Sequence, residues 1–150
     1  MIKHIKGDIF EQNADVICHQ VNCQGVMGAG LAAQIRTHWP NVYKEYKEIC
    51  KEFIWNKSSP LGTILISETK DTATKIVSLF AQDGYGRNRR YTSYDAFWSC
   101  LGALRNTLKP GDTIAFPKNI GCGLGGANWQ VIRTMIEEVL KNYEVYIYEL

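Results

Sequence analysis

Two glycine-rich stretches of this chain each have the composition of a phosphate-binding loop. The first is 22–30, with glycine at three of its last six positions, and the second is Gly121–Gly126, with four glycines in six residues. Glycine lets backbone N–H groups approach a ligand closely, and a following helix N-terminus adds partial positive charge. Neither stretch matches GxGxxG or GxxxxGK[ST]. Either loop alone could be a tight turn, but two in one small domain favour a diphosphate site.

Two further stretches could add chemistry beside these loops. Asp8 follows the first apolar segment, where a carboxylate could accept a hydrogen bond from the exocyclic amine of a purine or could cap a turn. The stretch 82–91 mixes glycine, arginine and tyrosine. It could be a solvated surface loop, or a lid that brings arginines to phosphate and Tyr85 to a sugar or base.

Short apolar segments alternate with segments of helical spacing, and this alternation must position the loops. The predicted strands are Met1–Lys6, Ala14–His19, Leu61–Ser67, Lys75–Phe80, Asp112–Phe116 and Glu144–Leu150. The predicted helices are Gly30–His38, Asn41–Phe53, Ser93–Leu108 and Trp129–Leu140. Trp39-Pro40 separates the first two helices, because a residue before proline is disfavoured in the α region.

This order of elements predicts an α/β domain over residues 1–150 with a mostly parallel sheet covered on both faces. Sheets of that kind bind ligands at the carboxyl ends of their strands. Both glycine loops follow a predicted strand and precede a helix. We therefore expect them to meet at the same edge of the sheet.

The composition narrows the class of protein. The 150 residues are 45% hydrophobic and 21% charged, which is ordinary for one globular domain. A formal net charge of +2 is too small to indicate nucleic-acid binding by itself. Five cysteines without a CxxC pair, no signal peptide and no membrane-length apolar run predict a cytoplasmic protein without a structural metal. Cys18 and Cys100 lie in apolar stretches and are predicted core residues.

Four motifs, taken together and in order, resemble the macro domain family. They are Gly7-Asp8-Ile9, Ala14-Asp15-Val16-Ile17, Asn22 with Gly28-Ala29-Gly30, and Ile120-Gly121-Cys122-Gly123-Leu124. The resemblance covers nearly the whole chain at normal spacing. It implies a three-layer α/β/α sandwich with a mixed, mostly parallel central sheet. It also implies that the ligand is ADP-ribose, bound without a cofactor or metal.

The resemblance implies a role for each matching residue. Asp8 would contact the adenine amine, with the Ile9 backbone amide nearby and Tyr148 on the same side, and Asn22 would touch the distal ribose. Gln82 would belong to the substrate-binding set. The residues implied around the diphosphate are Gly28, Ala29, Gly30, Leu31, Ala32, Gly121, Cys122, Gly123, Leu124 and Gly125.

The first glycine loop is closest to the branch containing terminal ADP-ribose glycohydrolases, DNA-directed antitoxins and the yeast-type ADP-ribose monophosphate phosphatase. This chain has Asp83 where the first two use a lysine, and Gly125 where the glycohydrolases use an aspartate. His19 stands where the phosphatases carry a catalytic histidine. The catalytic set so implied is His19, Asn22 and Asp83. His19 would act as nucleophile or base and Asp83 would orient it or activate water, unless His19 is a core residue of its strand.

Three functions follow as alternatives. A hydrolase would deacetylate O-acetyl-ADP-ribose, hydrolyse ADP-ribose monophosphate, or remove ADP-ribose from protein or DNA. A non-catalytic module would bind ADP-ribose only, which the missing lysine and aspartate favour. A nucleic-acid-binding module would hold a strand through Arg87, Arg89 and Arg90 together with the aromatic rings of Tyr85 and Tyr91. The small net charge argues against a strong general nucleic-acid binder.

Overall fold

We describe residues 1–11, 13–28, 30–86 and 88–150 in a computed structural model of the protein. The strands are β1 (Ile2–Lys6), β2 (Val16–Val21), β3 (Ile64–Glu68), β4 (Lys75–Phe80), β5 (Thr113–Pro117) and β6 (Glu144–Glu149). The helices are α1 (Gly30–His38), α2 (Pro40–Trp55), α3 (Tyr94–Thr107) and α4 (Trp129–Val139). A short 3-10 helix covers Ile9–Glu11.

The strands form one sheet in the order β1-β6-β5-β2-β4-β3. Neighbouring strands pair in parallel along the sheet until β3, which pairs antiparallel with β4 at the edge. The predicted mixed, mostly parallel sheet is therefore confirmed. Because β2 and β5 are parallel neighbours, the two glycine loops that follow them leave the same edge of the sheet, as expected.

The two faces of the sheet carry separate apolar layers. Along β2, Val16 and Cys18 pack with residues of α3 and α4, whereas Ile17 and Val21 pack with residues of α1 and α2. This alternation is the period of two that a strand imposes, and it produces the predicted α/β/α sandwich. Both Cys18 and its neighbour in this layer, Cys100, are fully buried, which confirms them as core residues.

Local signals set where the helices begin. The Ser93 side chain accepts from the backbone N–H of Ala96, and the Asn128 side chain accepts from that of Gln130, so polar caps open α3 and α4. Trp39 has φ = −135° and ψ = 82°, outside the helical region, and Pro40 is the first residue of α2. The predicted break at this proline is confirmed, because proline fits the first helical turn and lacks an N–H there.

Strand β2 lies two residues later in the chain than predicted. Strand β2 begins at Val16 and continues to Val21, whereas Ala14–His19 was expected. The extension makes Gln20 and Val21 the last residues of the strand and puts Asn22 directly at its carboxyl end.

None of the helices described is long and apolar enough to cross a membrane. The described residues also contain no cluster of three or more His, Cys, Asp or Glu side chains that could hold a metal ion.

Candidate functional site

Three adjoining cavities form one cleft along the carboxyl edge of the sheet. The Asp8 cavity, of about 280 Å³, lies over the ends of β1 and β6 and is lined by Asp8, Ile9 and Tyr148 among others. The glycine-loop cavity, of about 300 Å³, follows over β5 and β2. The Asn22 cavity, of about 400 Å³, lies over β2 and β4 and includes Asn22 and Tyr85. Neighbouring cavities share walls, and their volumes are typical of sites for small molecules.

The Asp8 cavity combines an acceptor and a donor at adjacent positions. Asp8 Oδ1 accepts from the backbone N–H of Phe10 at 2.9 Å, which fixes the carboxyl group at the start of the 3-10 helix. The described residues provide no partner for Asp8 Oδ2 or for the backbone N–H of Ile9. Tyr148, which is 7% exposed, contributes to the apolar layer below. The three residues expected on one side of the ligand thus line one cavity.

The glycine-loop cavity lies between the second glycine loop and the first turn of α1. Gly30 and Leu31 begin α1 and line the cavity, and the first N–H groups of a helix have no partner within it. On the facing loop, the backbone N–H groups of Gly123, Leu124 and Gly125 donate to no described protein group. The two sets of N–H groups make this cavity suited to an anion. Ala29 lies outside the described residues.

The other residues expected around the diphosphate do not all line the glycine-loop cavity. Gly28 lines the Asn22 cavity, and Ala32 lines both that cavity and the next one. Cys122 differs from the expectation: its side chain packs against the layer below α3 and α4, and its N–H donates to Asn119 O at 2.8 Å. Both groups are therefore engaged within the protein, and we correct Cys122 to a structural residue of the loop.

At two positions of the second loop, neighbouring atoms leave no room for a side chain, so glycine is required there. Gly121 has φ = 74°, and a Cβ there would lie 2.7 Å from Gln20 Oε1. A Cβ on Gly125 would collide with Thr92 Oγ1 and would lie 2.5 Å from the carbonyl oxygen of Gly121. The position of the glycohydrolase aspartate therefore has no room for any side chain in this protein.

Asn22 organises the loop that follows β2. Its Oδ1 accepts from the N–H of Gln24 at 2.9 Å, and its Nδ2 donates to Val26 O at 2.9 Å. The buried Tyr46 hydroxyl donates to Asn22 Oδ1 at 2.7 Å and accepts from the N–H of Gly25. Asn22 is 7% exposed and borders its cavity. The structure thus gives Asn22 a positioning role, and contact with a distal ribose stays a prediction.

His19 is placed differently from a nucleophile or general base. It borders the glycine-loop cavity, yet it is only 1% exposed, and its Nε2 lies 2.7 Å from the Oγ of buried Ser78. Burial lowers the pKa of His19 to about 3, so the ring is neutral at pH 7. The hydrogen-bond partner of His19 is Ser78 and not Asp83. The structure thus gives His19 a buried, neutral ring that packs beside Ser78, and its role as nucleophile or base stays a prediction.

This burial makes a testable contribution to the pH dependence of stability. Folded His19 stays neutral down to about pH 3, whereas unfolded histidine titrates near 6.5, so the unfolded state binds more protons between these values. Stability therefore falls as the pH decreases through this window, by about 2 kcal/mol from pH 7 to pH 5. We expect the free energy of unfolding of His19→Gln, measured by urea unfolding, to change less between pH 7 and pH 5 than that of the wild type. A pH dependence equal to that of the wild type would contradict the burial of a neutral His19.

The residues after β4 connect the two sides of the cleft. Gln82 lines the two larger cavities, accepts from Gln20 Nε2 at 2.7 Å and donates to Gly84 O at 2.8 Å. The backbone oxygen of Asp83 accepts from the N–H of Cys23 and from Gln24 Nε2. Asp83 is exposed, and the activation of water by its carboxylate stays a prediction.

Sequence reasoning missed a network of side chains beneath the second glycine loop. Gln20 Nε2 donates to both Gln82 Oε1 and Thr92 Oγ1, and Thr92 Oγ1 donates to Gly121 O, with all three distances between 2.7 and 2.8 Å. The ends of β2 and β4 are thereby tied to the loop that follows β5. The sequence signal was a glutamine two residues before Asn22 and another two residues after the end of β4.

Three residues of the stretch 82–91, namely Gln82, Tyr85 and Gly86, line the Asn22 cavity at the outer end of the cleft. Tyr85 is 56% exposed and lines the Asn22 cavity. The guanidinium groups of Arg89 and Arg90 lie over the rings of Tyr91 and Tyr94, at 4.2 and 4.4 Å from the ring centroids. Both arginines are thus stacked on aromatic side chains and do not line any of the three cavities. Arg87 lies outside the described residues.

Comparison with known proteins agrees with this geometry. The family model for the Macro domain matches residues 18–136. The chain is 32% identical to an ADP-ribose 1″-phosphate phosphatase of Meyerozyma guilliermondii, over 97% of this chain and 95% of that protein. It is 35% identical to a DNA ADP-ribosyl glycohydrolase of Mycobacterium tuberculosis, over 87% of this chain and 36% of that longer protein.

The fold also matches solved structures. The macrodomain of Mycobacterium tuberculosis DarG superposes with a TM-score of 0.82 at 20% identity, covering 100% of this chain and 98% of that one. At that identity the match concerns the fold alone. The family match covers both glycine loops and the strands before them. The chain therefore belongs to the macro domain family.

Proposed function

We propose that this protein binds ADP-ribose along the whole cleft and hydrolyses a derivative of it that carries a substituent on the distal ribose. The observation that carries the proposal is the order of the three cavities. An acceptor and donor suited to adenine come first, two sets of backbone N–H groups suited to a diphosphate follow, and a larger, mainly apolar cavity comes last. Adenosine, diphosphate and distal ribose occur in the same order in ADP-ribose.

Each cavity supplies a distinct interaction. The outer oxygen of Asp8 accepts from the exocyclic amine of adenine, and the N–H of Ile9 donates to a ring nitrogen. The N–H groups of Gly123, Leu124 and Gly125 face those of α1 across the diphosphate and stabilise its charge. The Asn22 loop and Tyr85 enclose the distal ribose. Binding in this proposal needs no cofactor or metal.

Hydrolysis would take place in the Asn22 cavity. Backbone N–H groups near the distal ribose stabilise developing negative charge, and enclosure positions water against the scissile bond. Asp83 directly follows Gln82, which lines this cavity, and we propose its exposed carboxylate as the group that activates that water from outside the lining. The name of the Meyerozyma relative supports a phosphate on the distal ribose as one substrate, and that of the Mycobacterium relative supports a DNA-linked one.

One observation favours a second candidate, a module that binds ADP-ribose without reacting with it. Among the described residues that line the Asn22 cavity, none has a charged side chain. A binding module needs the cavities only to hold the ligand and requires no reacting group in the Asn22 cavity. The two candidates share the ligand and differ only in turnover.

A chromatographic time course separates the candidates. The protein is incubated in separate tubes with O-acetyl-ADP-ribose, ADP-ribose 1″-phosphate, ADP-ribosylated protein and ADP-ribosylated DNA, and free ADP-ribose is quantified. Release above a protein-free blank, lost in Asp83→Asn and kept in His19→Gln, supports the hydrolase. Tight ADP-ribose binding without release from any tube supports the binding module.

Asp8→Asn tests the adenine position. The amide keeps an oxygen for the N–H of Phe10 but presents a donor where the carboxylate presented an acceptor. We expect ADP-ribose to bind at least about tenfold more weakly in calorimetry, equivalent to about 1.4 kcal/mol. The inosine analogue, which has an acceptor oxygen in place of the amine, should regain affinity in the variant. Equal affinities of the wild type and variant for ADP-ribose would remove Asp8 from the site.

A further inference from the structure

A lysine and a glutamate form an ion pair where the Asp8 cavity meets the glycine-loop cavity. Lys118 Nζ lies 2.7 Å from Glu149 Oε2. Lys118 lines both cavities, and Glu149 lines the Asp8 cavity. Of the described residues around the three cavities, Lys118 is the one lysine or arginine. The pair thus lies between the groups assigned to adenine and those assigned to the diphosphate.

Both side chains extend from backbone that is fixed by hydrogen bonds. The N–H of Lys118 donates to Tyr148 O at 2.8 Å, and the N–H of Gly7 donates to Glu149 O at 3.0 Å. These bonds continue the pairing of β5, β6 and β1 past the strand ends. The pair is therefore built on the sheet and not on a mobile loop.

Stability does not account for this pair. The side chains are 35% and 45% exposed, and exposed ion pairs typically contribute between about 0 and 1 kcal/mol. The effect of the pair is on charge: Lys118 keeps the pKa of the Glu149 carboxyl below its usual range. Glu149 is consequently an ionised acceptor facing the cleft.

A sugar with two adjacent hydroxyl groups is a suitable ligand for the ionised carboxylate of Glu149. The sugar that joins adenine to the diphosphate carries vicinal hydroxyls, and a carboxylate accepts hydrogen bonds from such hydroxyls in dinucleotide-binding folds. Resting on the proposed function, we propose that Glu149, held by Lys118, binds the hydroxyls of the adenosine ribose and excludes nucleotides phosphorylated at the 2′ position.

The exclusion follows from charge. A 2′-phosphate would remove one donor from Glu149 and bring a dianion against its carboxylate, and like charges in contact disfavour binding. Lys118 does not compensate, because its ammonium group already pairs with Glu149. The site thus discriminates between two ligands that are otherwise identical in adenine, diphosphate and distal ribose.

Calorimetry with ADP-ribose and ADP-ribose 2′-phosphate tests this inference. We expect the wild type to prefer ADP-ribose by about tenfold or more, and Glu149→Gln to bind the 2′-phosphate about tenfold more tightly than the wild type does. Glu144→Gln is the matched control, because Glu144 lies in the same strand at its other end and pairs with Lys3 at 3.9 Å. This control should leave both affinities unchanged.

The outcomes separate the inference from the function on which it rests. Equal binding of the two ligands by the wild type, or a preference that Glu149→Gln does not reduce, overturns the role of Glu149 while ADP-ribose binding stands. Binding of neither ligand by the wild type overturns the proposed function itself. Thermal unfolding of each variant verifies that the fold is intact.

Discussion

Gly123→Glu is expected to abolish ADP-ribose binding while the protein remains folded. A Cβ at Gly123 has no neighbouring atom within 4 Å, so the added side chain has room at the mouth of the glycine-loop cavity. Its carboxylate would stand where the diphosphate is proposed to bind. We expect a loss of about 100-fold or more in affinity, equivalent to about 2.7 kcal/mol.

The measurement is calorimetric titration together with thermal unfolding. Gly123→Ala is the control, because it adds the Cβ without the charge and should keep affinity and midpoint close to those of the wild type. Retained ADP-ribose binding by Gly123→Glu would exclude this loop from the ligand site. A lowered unfolding midpoint would instead mean that the loop is needed for folding.

Gly125→Ala is expected to destabilise the fold, whereas Gly123→Glu is expected to affect ligand binding and not folding. The carbonyl of Gly125 accepts from the N–H groups of Tyr91 and Thr92, both at 2.9 Å, so its backbone is held in place. A Cβ would collide with Thr92 Oγ1 and lie 2.5 Å from Gly121 O. Overpacking of this kind lowers the free energy of unfolding by about 1–3 kcal/mol, and the rigid surroundings favour the upper end.

Denaturant unfolding measures this loss, and Gly102→Ala provides the matched control. Gly102 lies inside α3, and a Cβ there meets nothing within 4 Å. Alanine at that position should raise stability by about 0.5–1 kcal/mol through helix propensity. If Gly125→Ala were as stable as the wild type, the close packing between the loop and Thr92 would be wrong.

The sequence alone was sufficient to predict the framework of the site. The glycine loops were identifiable because each lies between a β-branched segment and a helical one. The break at Pro40 was predictable because proline restricts the residue before it. Asp8 entered the predicted site only through the family resemblance, because a carboxylate just after a strand can equally cap a turn, and its contact with adenine stays a prediction.

The interior of the site depended on partners that are distant in the chain. His19 bonds to Ser78, 59 residues away, so sequence could not distinguish a reactive histidine from a buried one. Lys118 and Glu149 are 31 residues apart, and each looks like an ordinary surface charge until β5 and β6 are paired. Gly125 resembled the loss of an aspartate, whereas in the structure its contact with Thr92 excludes every side chain.

The network from Gln20 through Gln82 and Thr92 to Gly121 has a consequence for the energetics of recognition. The loop that we propose to face the diphosphate is already tied to the ends of β2 and β4 by hydrogen bonds within the protein. A ligand therefore meets a preorganised wall and loses little of its interaction free energy to ordering the chain. Affinity then reflects the complementarity of the cleft to its ligand, and association proceeds without a folding step.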